Sequence, residues 1–193
     1  TTSGSLVTTK DFANHKRNII VVATLKTSHD MKDVAVVDAD NGIVLSRFSP
    51  YESHFMGGVR IASGDLTGDG IDEIITAPGA GRAPEIRVFQ QDGTELTEYR
   101  TMAYESYYTG GVHVAVADVD GDSKNDLITI RSTGSSQVKV FLNQGTNSQP
   151  IQSTPYRDFT ATSNSLHTGG VVVAADMGRT VDGKFVNSPD GKA

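Results

Sequence analysis

The 193-residue chain contains no cysteine and no tryptophan, and its apolar stretches, such as residues 19–24 and 171–175, are short. Without cysteine the chain can form neither a disulfide nor a thiolate metal site, so packing or oxygen-ligated metal has to stabilise it. A membrane-spanning helix needs about 20 apolar residues, so we expect no membrane span.

Basic residues are also sparse, and they form no cluster along the chain. Lys and Arg number 17 against 23 Asp and Glu, which gives a net charge of −6. Proteins that bind nucleic acids present clustered cations to the phosphates, so we expect no nucleic-acid partner. A cation is the partner that this charge balance favours.

A Gly-Gly motif recurs along the chain. Residues 55–62, 108–115 and 167–174 each contain an aromatic or His residue, one further residue, Gly-Gly and then mainly apolar residues. The glycine pairs are 53 and 59 residues apart. Internal repeats of about this length are typical of solenoids, propellers and arrays.

Each repeat is predicted to contain four short antiparallel strands. In the second unit, a strand after Gly-Gly and an Asp-rich loop precede predicted strands at residues 73–76, 85–89 and 95–104. The third unit places the corresponding strands at residues 126–130, 137–142 and 157–162. Four antiparallel strands per repeat form the blade of a β-propeller, with almost no helix. A sandwich of several hairpins is the alternative that the same alternation permits.

The predicted fold is therefore all-β, with about three and a half propeller blades in one region spanning residues 1–193. The predicted blades are residues 3–53, 54–106, 107–165 and a partial blade at 166–193. Propellers usually have 4 to 8 blades, and open terminal blades expose strand edges. We therefore expect further blades of a larger parent protein, or a homodimer, to cover them.

Residues 118–126, the second acidic loop, place carboxylates at positions 1, 3, 5 and 9 and leave a backbone carbonyl at position 7. The predicted metal ligands of this loop are Asp118, Asp120, Asp122, Lys124 and Asp126. Oxygen donors without His or Cys suit Ca²⁺, which accepts 6 to 8 oxygens, better than Mg²⁺, which demands a tight octahedron. Four like charges would repel one another without a cation.

Residues 65–73, the first acidic loop, repeat this pattern with one neutral donor. The predicted metal ligands of this loop are Asp65, Thr67, Asp69, Ile71 (through its carbonyl) and Glu73. We expect the weaker site here because the ligand charge is lower. An EF-hand needs an acidic residue at position 12, where the two loops carry Thr76 and Thr129, and it needs flanking helices. Asp/Gly-rich turns without metal are the remaining alternative.

The two loops, with residues 73–79 and 83–88, resemble the FG-GAP repeats of integrin α-chain propellers and their bacterial VCBS-type relatives. The resemblance covers residues 55–145 well and the first and last units weakly. It implies a β-propeller with Ca²⁺ in hairpin loops on its rim, in secreted or cell-surface proteins that bind proteins or glycans. The degenerate loops near Asp11 and Asp176 keep few ligand positions, which weakens the case for calcium there.

The acidic loops favour a calcium-binding module that is not an enzyme, and the resemblance implies that it is extracellular and acts in adhesion or protein–protein interaction. The alternative is a carbohydrate- or substrate-binding region of a larger secreted enzyme, although the absence of tryptophan lowers the case for sugar stacking. Carboxylates spaced for one cation do not suggest the acid–base pair of a hydrolase. A tyrosine cluster at one inter-blade junction could pack the blades or form a stacking platform for a ligand. Its members are Tyr99, Tyr104, Tyr107 and Tyr108.

Overall fold

The computed structural model describes residues 4–10, 18–24, 34–145, 148–161, 180–181 and 184–185. These residues form an all-β structure of fourteen strands, with one 3-10 helix and no α-helix. No helix among them is long and apolar enough to cross a membrane. The third Gly-Gly motif and the degenerate loops near Asp11 and Asp176 lie outside the described residues.

Twelve of the strands form three antiparallel sheets of four strands each. The first sheet contains β1 (Gly4–Lys10), β2 (Asn18–Thr24), β3 (Val34–Asp38) and β4 (Val44–Phe48). The second contains β5 (Val59–Gly64), β6 (Glu73–Pro78), β7 (Glu85–Phe89) and β8 (Thr101–Met102). The third contains β9 (Val112–Ala117), β10 (Asp126–Arg131), β11 (Gln137–Phe141) and β12 (Arg157–Thr160). A separate two-stranded sheet pairs β13 (Thr180–Val181) with β14 (Lys184–Phe185).

The strands of each four-stranded sheet lie in sequence order, which is the meander of a propeller blade. The first strands of successive sheets are neighbours, because β5 contacts both β1 and β9. A sandwich has two sheets packed face to face, whereas here three four-stranded sheets follow one another, with the second sheet between the first and the third. The predicted all-β fold with four-stranded propeller blades is confirmed.

The second sheet is covered on both faces, which explains the apolar residues of its strand β6. Every residue of β6 is buried. Ile74 packs with Val21 in the core between the first and second sheets, and Ile75 packs with Leu127 in the core between the second and third. Neighbouring residues of a strand point to opposite faces, so a strand that is buried on both sides carries apolar residues at consecutive positions, as Ile74 and Ile75 show.

The fourth strand of the second sheet is shorter than the predicted strand at residues 95–104. Only Thr101–Met102 pair as β8, and Thr97–Tyr99 form the 3-10 helix. The helical turn directs Tyr99 into the core, where its hydroxyl donates to the Leu66 carbonyl at 3.3 Å. The burial of this tyrosine therefore replaces the first part of the predicted strand.

The Gly-Gly motif lies at a crowded corner between strands. Gly58 and Gly111 have φ of +80° and +87°, a conformation that favours glycine. A Cβ atom on Gly57 would collide with the Ala80 carbonyl oxygen. The Gly79 amide closes the same corner by donating to the Gly58 carbonyl at 2.9 Å. The motif thus recurs because the backbone at these corners leaves no room for a side chain.

Most of the tyrosine cluster packs between the second and third sheets. Tyr99 and Tyr104 are buried in this core, and Tyr108 packs against it. Tyr107 is 82% exposed. Three of the four tyrosines therefore serve blade packing, and only Tyr107 projects into solvent.

Candidate metal centre

The second acidic loop connects β9 to β10 and brings three carboxylates together. One oxygen from each of Asp118, Asp120 and Asp126 lies within 4.8 Å of the others. Asp126 is 1% exposed, Asp118 is half-buried and Asp120 faces solvent. Loop positions 1, 3 and 9 thus face a common point, and a cation there would be open to solvent on one side.

Backbone amides of the loop hold two of these carboxylates in place. Asp118 accepts hydrogen bonds from the amides of Gly121 at 2.7 Å and Ser123 at 2.9 Å. Asp126 accepts one from Val119 at 2.8 Å. An Asp carboxylate that accepts from backbone amides a few residues away stabilises a turn at the expense of helix or sheet hydrogen bonds. The acidic residues therefore shape the loop as well as supplying its oxygen atoms.

The remaining carboxylate of the loop, Asp122, pairs with Lys124. Its oxygens accept from the Lys124 backbone amide at 2.9 Å and from Nζ at 2.7 Å. The side-chain hydrogen bond from Lys124 lowers the pKa of Asp122. The lysine, selected from the sequence only for its carbonyl, thus offsets part of the loop's negative charge. The roles of Asp122 and of the Lys124 carbonyl as ligands stay predictions.

The electrostatics of the second loop favour a bound cation. Burial raises the pKa of Asp126, and the charges of Asp120 and Asp122 raise it further. A buried carboxylate beside like charges is unfavourable unless positive charge neutralises it. Carboxylate oxygens are hard ligands of the kind that Ca²⁺ and Mg²⁺ prefer. The residues present therefore fit a hard divalent cation.

The first acidic loop, between β5 and β6, follows the same backbone path. The amides of Gly68 and Gly70 donate to Asp65 at 2.6 and 2.8 Å, as Gly121 and Ser123 donate to Asp118 in the second loop. Gly70 has φ of +85° and Ser123 has φ of +70°. Two loops of different sequence thus share one turn, with glycine in the first where the second carries serine.

Glu73 is the most perturbed acid of the first loop. It is 3% exposed and accepts from the amides of Leu66 at 2.8 Å and Thr67 at 3.0 Å. Burial raises the pKa of Glu73 to about 7, and the charges of Asp69 and Asp65 add to this effect. The sequence had given no reason for a raised carboxylate pKa, because burial of position 9 under its own loop cannot be read from spacing.

The predicted ligands of the first loop gather less closely than those of the second. The Thr67 hydroxyl lies 3.4 Å from Glu73 Oε1, which joins positions 3 and 9. Among the described residues, Asp65, Asp69 and Glu73 do not form a group like that of the second loop. The Ile71 amide donates to Asp69 at 2.8 Å, and the role of its carbonyl as a ligand stays a prediction.

A buried amide side chain supports each loop, and the sequence analysis did not single it out. Asn143 and Gln91 are each 2% exposed. Asn143 Nδ2 donates to the Asn125 carbonyl at 3.2 Å, and Gln91 Nε2 donates to the Asp72 carbonyl at 3.1 Å. Both carbonyls belong to loop position 8. The sequence feature that could have pointed to these two residues is an Asn or Gln two positions before a glycine in both units, at residues 91–93 and 143–145.

Comparison with known families agrees with this geometry. Residues 65–129 match the family model of the FG-GAP-like repeat. The matched segment begins at the first residue of the first acidic loop and includes the whole second loop, so the FG-GAP match spans both candidate sites. An FG-GAP-like repeat indicates a module of the protein-interaction or adhesion type. No curated protein matches the chain.

Proposed function

We propose that this chain is a calcium-binding β-propeller module that acts outside the cell in adhesion or protein–protein interaction, without catalytic activity of its own. The observation that carries the proposal is the group formed by Asp118, Asp120 and Asp126 within 4.8 Å. The FG-GAP match over residues 65–129 supports the interaction role.

Calcium is the cation that we propose for the second loop. Three carboxylates on a short loop offer oxygen atoms at variable angles, and Ca²⁺ accepts 6 to 8 such ligands at 2.3–2.6 Å. Mg²⁺ needs a near-ideal octahedron and gives up its water reluctantly. Bound calcium would offset two of the three negative charges of Asp118, Asp120 and Asp126, and we propose this structural role for it.

The absence of catalysis is proposed from the arrangement of the acids. A hydrolase acid–base pair needs a carboxyl group that can reach a substrate. Glu73 has a raised pKa, but it is 3% exposed and bonded to the amides of its own loop. The acids of the second loop converge on one point, which suits a cation.

An extracellular site and a protein ligand complete the proposal. Extracellular modules bind calcium with Kd of about 10⁻⁴–10⁻³ M, and we expect an affinity of that order for the second loop. Aromatic side chains are enriched in protein interfaces, and Tyr107 is 82% exposed at an inter-sheet corner. A glycan ligand is the alternative that a glycan array would reveal.

Calorimetric titration with CaCl₂ and with MgCl₂ tests the proposed calcium site. We expect calcium to bind with Kd of about 10⁻⁴–10⁻³ M and magnesium to bind more weakly. Asp120→Ala should abolish binding at the second loop. Asp92→Ala should leave this binding unchanged, because the Asp92 carboxylate accepts from the Thr94 amide in a separate turn. No calcium binding at millimolar concentration would refute the proposed function, and submicromolar binding would contradict the extracellular part.

A further inference from the structure

The two acidic loops touch each other across the junction between the second and third sheets. Asn125 Nδ2, from the second loop, donates to the Asp65 carbonyl of the first loop at 3.1 Å. Asn143 Nδ2 donates to the neighbouring Leu66 carbonyl at 2.8 Å. A Cβ atom on Gly64, which precedes the first loop, would lie only 3.2 Å from Asn125 Nδ2. The loops are therefore packed as one unit.

Asn143 also bonds directly to a predicted ligand of the second loop. Its backbone amide donates to Asp126 Oδ1 at 2.9 Å. Its side-chain oxygen accepts from the Gly145 amide at 3.0 Å, which fixes the orientation of the side chain. At 2% exposure the residue has little freedom to move independently of its partners. Asn143 thus holds Asp126 with its backbone and the first loop with its side chain.

The path continues to the corresponding acid of the first loop. Leu66, whose carbonyl accepts from Asn143, donates its own amide to Glu73 Oε2 at 2.8 Å. Three hydrogen bonds, each shorter than 3 Å, therefore connect Asp126 to Glu73 through Asn143 and Leu66. Both ends of this path are the position-9 acids of their loops.

We propose that Asn143 is a positioning residue that couples the two loops, so that a divalent cation in the second loop raises the affinity of the first loop for a second cation. The inference rests on the proposed function, namely on cation binding by the second loop. A cation at Asp126 holds this carboxylate and, through Asn143, fixes the Leu66 carbonyl. That carbonyl shares a peptide group with the Thr67 amide, which donates to Glu73 at 3.0 Å. By linkage, a cation in the first loop raises the affinity of the second by the same factor.

The Asn143→Ala variant separates the two roles of this residue. It keeps the backbone amide that donates to Asp126. It removes the side-chain bonds to the carbonyls of Leu66 and Asn125 and from the Gly145 amide, and of these only the bond to Leu66 reaches the first loop. We therefore expect the calcium affinity of the second loop to stay within about twofold and that of the first loop to fall about fivefold or more, the usual size of such coupling. A merely structural role would weaken both loops together. Gln144→Ala, at an exposed neighbour, is the matched control.

Calorimetry of the full 193-residue chain with CaCl₂ gives the affinities of the two loops. Hydrogen exchange of the Leu66 and Thr67 amides, which donate to Glu73, reports how firmly the first loop is held. Asp120→Ala should lower first-loop affinity and exchange protection as much as Asn143→Ala does, and the double variant should lower them no further. The coupling would be overturned if the double variant lowered first-loop affinity by the sum of the two single effects. It would also be overturned if the second loop bound calcium and neither single variant changed the affinity of the first loop. Either result would leave the proposed function standing. No calcium binding by the unmodified chain would refute both.

If Asn143→Ala fails to fold, Asn125→Ala provides the second variant. It removes the other bond between the loops, from Asn125 to the Asp65 carbonyl, at a less buried position. The same selective loss of first-loop affinity is expected. Equal first-loop affinities of this variant and the unmodified chain would show that the Asn125 bond carries no coupling. Equal first-loop affinities of Asp120→Ala and the unmodified chain would then overturn the proposal without any change at Asn143.

Discussion

The Thr129 hydroxyl donates to the Tyr104 hydroxyl at 3.4 Å, joining the second strand of the third sheet to the segment that follows the second sheet. Thr76 and Tyr51 make the same contact at 3.3 Å one repeat earlier. Tyr104 in turn donates to the Gln137 carbonyl at 2.8 Å. The junctions of the second sheet with the first and with the third therefore each contain a buried tyrosine that is hydrogen-bonded to a threonine.

Removing the Tyr104 hydroxyl should destabilise the fold. Tyr104→Phe keeps the ring and leaves the Gln137 carbonyl without this donor, which costs about 1–2 kcal/mol of unfolding free energy. Tyr107→Phe changes a side chain that is 82% exposed and should cost almost nothing. Urea unfolding of both variants measures the difference. Equal losses would mean that the hydroxyl at the junction contributes no stability.

Calcium should stabilise the folded chain. A ligand that binds only the folded state adds RT ln(1 + [L]/Kd), about 2.7 kcal/mol at a hundredfold excess over Kd. For a chain of this size that corresponds to a rise in Tm of several degrees. Thermal unfolding with calcium and with chelator gives the shift, which Asp120→Ala should reduce. Identical midpoints for the unmodified chain would argue against a structural cation.

The two loops should respond differently to loss of their position-3 ligand. Asp120→Ala removes a charged oxygen from a group in which the three carboxylates converge, whereas Thr67→Ala removes a neutral hydroxyl that water can replace. We expect Asp120→Ala to weaken its own loop more than Thr67→Ala weakens the other. Calorimetric titration of each variant decides the order, and the reverse order would mean that the assumed ligand geometry is wrong.

The repeat could be predicted from the sequence because it is local. The Gly-Gly corners, the β-branched strands and the Asp-rich loops each lie within a few residues, so spacing alone indicates four-stranded blades. What could not be predicted depends on how each loop folds and on contacts between distant segments. The buried position of Glu73, and with it the raised pKa, depends on how its loop folds back over the strand end.

Asn143 and Tyr99 illustrate the same limit. Asn143 lies in a turn whose composition suggests only a hairpin connection, yet its side-chain amide reaches Leu66 in the first acidic loop. Tyr99 lies in a polar segment that reads as an edge strand, and its burial against Leu66 produces the 3-10 helix. In both cases the partner is far away in sequence, and no periodicity encodes it.

Backbone strain in the second loop should be measurable. Ser123 has φ of +70°, a left-handed conformation that costs a residue with a side chain about 1–2 kcal/mol. Ser123→Gly should therefore raise the unfolding free energy by about 0.5–1 kcal/mol, less than the full strain because glycine gains freedom in the unfolded chain. Urea unfolding in chelator measures it without a contribution from bound cation.

Gly70 provides the reciprocal variant in the first loop. It has φ of +85°, and a Cβ atom there would meet nothing within 4 Å, so Gly70→Ala tests the backbone conformation alone. We expect Gly70→Ala to lower the unfolding free energy by about 1 kcal/mol. Changes of the same sign in Gly70→Ala and Ser123→Gly would contradict the shared turn of the two loops.

His113 and Arg60 form a contact between the first strands of the second and third sheets. Arg60 Nε donates to His113 Nε2 at 3.1 Å, so the imidazole has to be neutral at this nitrogen. Burial lowers the pKa of His113 to about 4, and the Arg60 charge adds to this effect. Tyr108 is the other titratable group that acts on Arg60.

This contact should make stability depend on pH between about 6.5 and 4. His113 has a depressed pKa in the folded chain, so below pH 6.5 the unfolded chain binds the proton more readily. The contribution of His113 to stability is therefore complete above about pH 6.5 and is lost as the pH falls, by about 1 kcal/mol from pH 7 to 5 after allowance for solvent screening. His113→Gln keeps an acceptor for Arg60 and should remove this loss, whereas His54→Gln, at an exposed site, should retain it. Urea unfolding at pH 7 and pH 5 in saturating calcium measures the loss, and equal losses in the unmodified chain and His113→Gln would exclude His113 as its source.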